Sequence, residues 1–132
     1  MDRKLHKKKV LQHVLSAILL VMLAPFIFAL DIMVEIYHRI GFRLCNIPLV
    51  KRRAYIRIDR HKLQYLNWFD KLACAYCGYA NGFARYITEI GARTENYWCA
   101  IKHKKNHEFH EQPHQKKFLE YGDEKSYQKK YN

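Results

Sequence analysis

Three cysteines and a histidine fall into two short pairs, Cys74-x2-Cys77 and Cys99-x3-His103. A CxxC pair offers two thiolates from one loop or helix end, and Cys and His four residues apart project from one helical face. Four such donors suit tetrahedral zinc. They also suit iron, as a mononuclear thiolate site or as a cluster with one His ligand. The spacing C-x2-C-x21-C-x3-H predicts a Cys3His metal centre at Cys74, Cys77, Cys99 and His103, with His114 and then His61 as substitutes. Competing uses of the same residues are simple burial of Cys as a small hydrophobe and a Cys nucleophile with His103 as its base. Cys45 stands apart from the pairs and reads as a buried or free thiol.

These donors need elements that bring them together. From His61 the apolar residues Leu63, Leu66, Phe69, Leu72, Ala73 and Tyr76 recur every three or four positions, the period of an amphipathic helix. Cys77-Gly-Tyr-Ala-Asn-Gly82 holds two Gly and one Asn, residues that end helices and tolerate positive φ. A second periodic stretch runs through Phe83, Ile87, Ile90, Trp98 and Ile101. Gly91 interrupts it and Thr94 is placed to cap a restarted turn. The expected unit is a helical hairpin over 62–114 with its return arm broken near Gly91, and the Cys3His centre requires that break. With an unbroken arm Cys99 faces His61, and the better site is Cys99, His103 and His61, or the acids Asp70 and Glu89. His103, His107, His110 and His114 continue the helical spacing, against the plainer reading of a His-dotted solvated tail.

Upstream lies a different kind of sequence. Val14 to Leu30 contains one polar residue, Ser16, and from Val10 the run is long enough to cross a hydrocarbon core, about 31 Å at 1.5 Å per residue. It exceeds a usual signal-peptide core, and no small-x-small cleavage site precedes Asp31. Basic residues flank both ends: Arg3, Lys4, Lys7, Lys8 and Lys9 before it, and Arg39, Arg43, Arg52 and Arg53 among those after it. Positive charge stays on the cytoplasmic side and both flanks claim it, which leaves two solutions: a straight span with the heavier C-terminal cluster in the cytoplasm, or a re-entrant anchor bent at Pro25 that returns to the same face. Asp31, Glu35, His38 and Arg39 then line one side of a helical stripe, with Ile32, Met33, Ile36, Tyr37, Ile40 and Leu44 on the other, as in an interfacial helix.

The chain of 132 residues carries 24 Lys and Arg against 12 Asp and Glu, a formal charge of +12, which seeks phosphate, anionic lipid or an acidic protein face. Five Gly and three Pro exclude collagen-like and Pro/Gly-rich disordered classes. No phosphate-binding loop, nucleophile elbow, H-E-x-x-H or EF-hand sequence is present. The basic connector 45–61 has no nucleic-acid recognition motif beside it, and its Tyr55–Asp59 alternates like an extended segment. After Gln115 the tail mixes Lys, Glu and Tyr. Phe118, Tyr121 and Tyr127 are placed to dock on the helical unit, and Asp123 to Asn132 reads as a frayed terminus.

Tyr55–Leu63, Cys74-Ala-Tyr-Cys-Gly-Tyr-Ala-Asn-Gly82, Arg93-Thr-Glu-Asn-Tyr-Trp-Cys-Ala-Ile-Lys-His103, Pro113-His114 and Tyr121-Gly-Asp123 resemble a family of small bacterial membrane-anchored proteins. The resemblance covers about half the chain and implies bacterial origin and a shared Cys/His unit, with no assigned activity. Ala100 stands where the family pattern has Pro.

The expected architecture is mainly α: membrane anchor and interfacial helix (1–44), basic connector (45–61), Cys/His hairpin (62–114) and polar tail (115–132). The expected protein is a zinc-holding accessory or adaptor of the bacterial inner membrane, its soluble part facing the cytoplasm and meeting anionic headgroups and a membrane-protein partner. The other class is an iron–thiolate redox protein or small enzyme serving a membrane oxidoreductase.

Overall fold

Apolar periodicity and the lack of breakers make the first element long. In the computed structural model, which describes residues 7–59, 62–65 and 67–131, helix α1 spans Val10–Leu44, 35 residues and about 52 Å. It passes through Pro25 without ending, so the chain does not turn back there and the re-entrant bend is corrected. The apolar run and the amphipathic stripe are one helix. Asn46 ends it in the left-handed region at φ 56°. The Asn46 N–H donates to Arg43 O and the Ile47 N–H to Phe42 O at 2.8 Å, a Schellman closure that satisfies carbonyls of the last turn.

The second helix corrects the hairpin. Helix α2 runs unbroken over Trp68–Trp98, 31 residues, through both the Cys77–Gly82 segment and Gly91. The glycines of that segment serve approach, not turning. A Cβ on Gly82 would lie 2.6 Å from Tyr55 O and 2.8 Å from Ile56 Cα, and one on Gly78 would lie 2.9 Å from Arg57 O. Gly78 and Gly82, one turn apart, clear a track on which the connector lies against α2. Asn81 is likewise spent inside the helix, its Nδ2 donating to Cys77 O at 2.9 Å. Thr94 does not cap a restart; its hydroxyl donates to Ile90 O. Asn67 caps the start, accepting from the Asp70 N–H at 2.8 Å.

Contacts along the two helices rise together in number. Tyr76 reaches Leu20 O, Tyr79 meets Phe28 and Asp31, Tyr86 meets Glu35 and His38, and Thr94 meets Tyr37. The helices are therefore parallel. The connector must first carry the chain back along α1, and its Tyr55–Arg57 backbone descends past Gly82 and Gly78.

The core lies in the upper part of this pair. Phe42, Val50, Phe83, Tyr86 and Ile90 form it, with Ile27, Val34, Ile47, Tyr55, Ile56 and Ile87 packed around them. Past α2 the chain is irregular except for a parallel bridge between Ile101 and Leu119, a 3-10 turn at Pro113–Lys117 and the short helix α3, Glu124–Tyr131. The tail end expected to fray is thus helical, while the His-rich stretch after Trp98 has no helix because it has no apolar face to bury. Phe118 docks and is buried; Tyr121 and Tyr127 stay exposed.

Candidate functional site: a polar clamp on an apolar helix

Asp31 and Glu35 lie one turn apart on α1, just beyond the apolar run, and His38 follows at i+3. That spacing puts all three on the face turned toward α2 and the connector. Asp31 and His38 are buried. The Arg52 guanidinium, delivered by a 3-10 turn of the connector, donates from both terminal nitrogens to the Asp31 carboxylate at 2.7 Å each and from Nη1 to Glu35 at 3.1 Å. A planar fork on a carboxylate is the arrangement Arg makes best. The Tyr79 hydroxyl donates to Asp31 and the Tyr86 hydroxyl to Glu35 at 3.1 Å. Arg52 also lies 5.5 Å from the Tyr86 ring centre.

His38 completes the cluster. Its Nε2 accepts the Val50 backbone N–H at 2.9 Å, so in the neutral ring the proton sits on Nδ1, which lies 3.0 Å from the Tyr86 hydroxyl. A directed chain results: Val50 N–H to His38, His38 Nδ1–H to Tyr86, Tyr86 O–H to Glu35. Val50 comes from the connector, His38 and Glu35 from α1 and Tyr86 from α2, so the cluster ties α1, connector and α2 at one level.

The electrostatics follow from these bonds. The Arg52 fork holds the Asp31 carboxyl below the usual carboxylate range against the opposing effect of burial. The same pair raises Arg52 further. Burial, then the neighbouring carboxylate, pushes the Tyr79 and Tyr86 phenols up to about 12. All the bonds described favour a charged Asp31–Arg52–Glu35 core with neutral phenols around it.

The residues expected to bind metal are placed elsewhere. Cys74 and Cys77 lie within α2, and Cys99 is its C-terminal cap; 25 residues of helical rise separate Cys74 from Cys99 by roughly 37 Å. His103 lies past the helix, its ring against Phe109, and no hydrogen bond joins it to Cys99. His114 is held by Glu95 at 3.3 Å and packs on Phe118. His61 lies outside the described residues. Asp70 is buried in the first turn of α2 and Glu89 pairs with Arg93 at 3.0 Å. All four cysteines are free thiols. Among the described residues no three His, Cys, Asp or Glu side chains are grouped to hold a metal ion. The physical reason is the continuity of α2, which spends the segment read as a turn on helix. The clamp has only a partial signal in the sequence: two carboxylates one turn apart at the end of an apolar helix, and two tyrosines seven residues apart on another.

Comparison with known proteins adds no relative: no family model matches the chain, and neither a curated protein nor a solved structure is similar to it.

On the side away from the clamp and core, α1 is bare. Val10–Leu23 is exposed on nearly every side, and Leu11, Leu15, Met22, Phe26, Met33, Ile40 and Leu44, four or seven residues apart, carry an exposed apolar stripe to the helix end. Its exposure does not fall at Asp31: Phe26 is 74% exposed, Met33 70% and Leu44 78%. Asp31, Glu35 and His38 are turned away from it into the clamp. The helix is long and apolar enough to cross a membrane.

Proposed function

We propose that this protein is a membrane-bound accessory or adaptor protein attached from one side, with α1 sunk into the lipid along its bare face and the clamp, connector and α2 on the water side. One observation carries the reading. The connector bears exposed Arg57 and Asp59 and lies against α2 at Gly78 and Gly82, level with the Phe28–Asp31 end of the apolar run, while the bare stripe faces the other way. A charged side chain at the bilayer centre costs about 2.5–3.5 kcal/mol on insertion scales, so lipid closing around the molecule at this level would bury both charges. Two further facts support one-sided attachment. The stripe is about 50 Å long against roughly 30 Å of hydrocarbon, and basic residues at both ends of α1 satisfy the positive-inside rule when both ends share a side. That side is the cytoplasm of a bacterial inner membrane, a compartment that also suits four free thiols.

The clamp's role in this reading is orientation. It fixes the connector and α2 to the helix that touches lipid, so the height of the rest of the protein above the bilayer is set by side-chain bonds. The exposed Tyr97–Trp98 pair at the end of α2, in edge contact at 5.2 Å, and the Lys- and His-rich loop beyond it are then the parts presented to a partner.

The test places a cytoplasm-active and a periplasm-active reporter at each end of the full chain, with membrane fractionation in parallel. The expected result is a protein retained on membranes through alkaline carbonate, both ends reporting cytoplasm. Ends on opposite sides would sink one-sided attachment, and a protein released to the soluble fraction would sink membrane binding.

A further inference from the structure

A second polar feature lies to the side of the clamp. The connector residues Tyr55, Arg57 and Asp59 and the α2 face bearing Gly78, Asn81 and Arg85 enclose an open groove of about 600 Å³. Gly78 and Gly82 bring the connector backbone onto α2, so the two walls are held at fixed spacing. Arg85 is stacked over the Tyr55 ring at 5.7 Å, which orients its guanidinium without using its N–H donors. Among the described residues no carboxylate pairs with Arg57 or Arg85, nor with Arg43 or Arg53, whereas Arg39, Arg52 and Arg93 have acid partners; of the unpaired arginines, Arg57 and Arg85 share one groove. Asp59, on the same wall, is the acid that opposes an anion there.

The height of the groove gives it a meaning. Tyr79, within its α2 wall in sequence, and Tyr86, just after it, bond to Asp31 and Glu35, so the groove stands level with the end of the apolar run. With α1 at the boundary of acyl chains and headgroups, α2 lies about one helix diameter, roughly 10 Å, further out. That is the layer of the lipid phosphates.

We propose that this groove binds a phosphate group, that of an anionic lipid headgroup, through the guanidiniums of Arg57 and Arg85. Arg presents paired donors to phosphate oxygens, and two of them lining one groove give a charge-assisted site that a lone surface cation does not. The proposal rests on the membrane reading above and specifies which lipid class the protein prefers.

The test uses the full chain in an uncharged detergent, titrated with short-chain phosphatidylglycerol, short-chain phosphatidylcholine and inorganic phosphate. Phosphatidylglycerol is expected to bind about tenfold tighter than phosphatidylcholine. Arg57→Gln should weaken it about tenfold and Asp59→Asn should tighten it two- to threefold, roughly the effect of one exposed charge. Arg85→Gln removes the stack on Tyr55 as well, so Arg85→Lys accompanies it and near-ultraviolet circular dichroism checks both. Inorganic phosphate that binds as tightly as the lipid, and is lost with Arg57→Gln, makes free phosphate the occupant and keeps the site. Equal affinity for the two lipids, or wild-type affinity in Arg57→Gln with Arg85→Lys, overturns the proposal. Carbonate-resistant membrane binding is read separately: its loss would remove the anchoring reading while leaving the affinity series to judge the groove.

Discussion

The two halves of the α1–α2 pair are built on different principles. In the upper half, Asp31–Leu44 faces Tyr79–Thr94 through phenol hydrogen bonds and a buried aromatic core, with Arg52 of the connector paired to the α1 carboxylates beside them. In the lower half, Val10–Leu30 is almost uncovered, and Tyr76 bonding to Leu20 O is the hydrogen bond α2 makes to it among the described residues. The more hydrophobic half is thus the one the protein does not bury. Hydrophobicity alone does not make a core; a core needs a facing surface held in place, and here charge supplies the hold. What is left bare is the face that the proposed function gives to lipid.

The largest effect should come from Arg52. Arg52→Met leaves Asp31 and Glu35 facing each other without their cation. Breaking a buried pair from one side costs 3–5 kcal/mol, reduced here because the Arg52 side chain is 37% exposed. A loss of about 2–3 kcal/mol is expected in chemical denaturation in detergent, with membrane retention unchanged because the lower half does not depend on the clamp. A variant that detaches from membranes would show that the two halves are one unit.

Next are the glycines. Gly82→Ala must push the connector off α2, since its Cβ would meet the Tyr55 and Ile56 backbone; overpacking of this kind costs about 1–3 kcal/mol. Gly91→Ala meets nothing within 4 Å and should stabilise α2 by up to about 1 kcal/mol, the helix-propensity difference. Opposite signs in thermal melts confirm that the first glycine is a contact and the second merely sits in a helix. Equal signs would bring back the broken arm.

This pair also shows what could be read from sequence. The apolar helix, its amphipathic continuation and the helical period on both sides of Cys77 follow from local spacing, and all are present in the structure. The hairpin does not follow, because glycine serves two ends: it permits positive φ, and it permits close approach. Choosing between them requires knowing what lies opposite, and Tyr55 O is 27 residues upstream of Gly82 in the chain. The clamp was hidden for the same reason. Asp31, Glu35 and His38 were visible as a stripe, but their partners Arg52, Tyr79 and Tyr86 are set by the return of the connector, which no periodicity encodes.

Smaller effects follow from protonation. The pKa of Asp31 is lowered in the fold, so its contribution to stability is present above the carboxyl's ordinary range and is lost as pH falls through the lowered value. Tyr79 and Tyr86 are raised to about 12. Their contribution is complete below pH 10 and disappears as pH rises from about 10 to 12. Stability against pH should therefore have a flat top bounded by two falls. Asp31→Asn should remove much of the acid fall, and Tyr86→Phe should soften the alkaline one. An alkaline limb unchanged in both Tyr79→Phe and Tyr86→Phe would place the titrating groups outside the clamp.

The smallest effect distinguishes the clamp most sharply from the cysteines. Cys77 and Cys99 are exposed, His103 makes one ring contact, and the donors are spread along the length of α2. Cys77→Ser, Cys99→Ser and His103→Ala should each change stability by no more than about 0.5 kcal/mol, the ordinary range for surface substitutions. A Cys3His centre predicts the opposite pattern, in which each substitution lowers bound metal and stability together, because ligand closure is folding free energy. Elemental analysis with parallel melts on protein purified anaerobically reads both quantities at once. Coupled losses would mean that α2 bends or breaks in the protein as it exists, bringing Cys99 back to Cys74, and the parallel pairing that fixes the clamp would have to go with it.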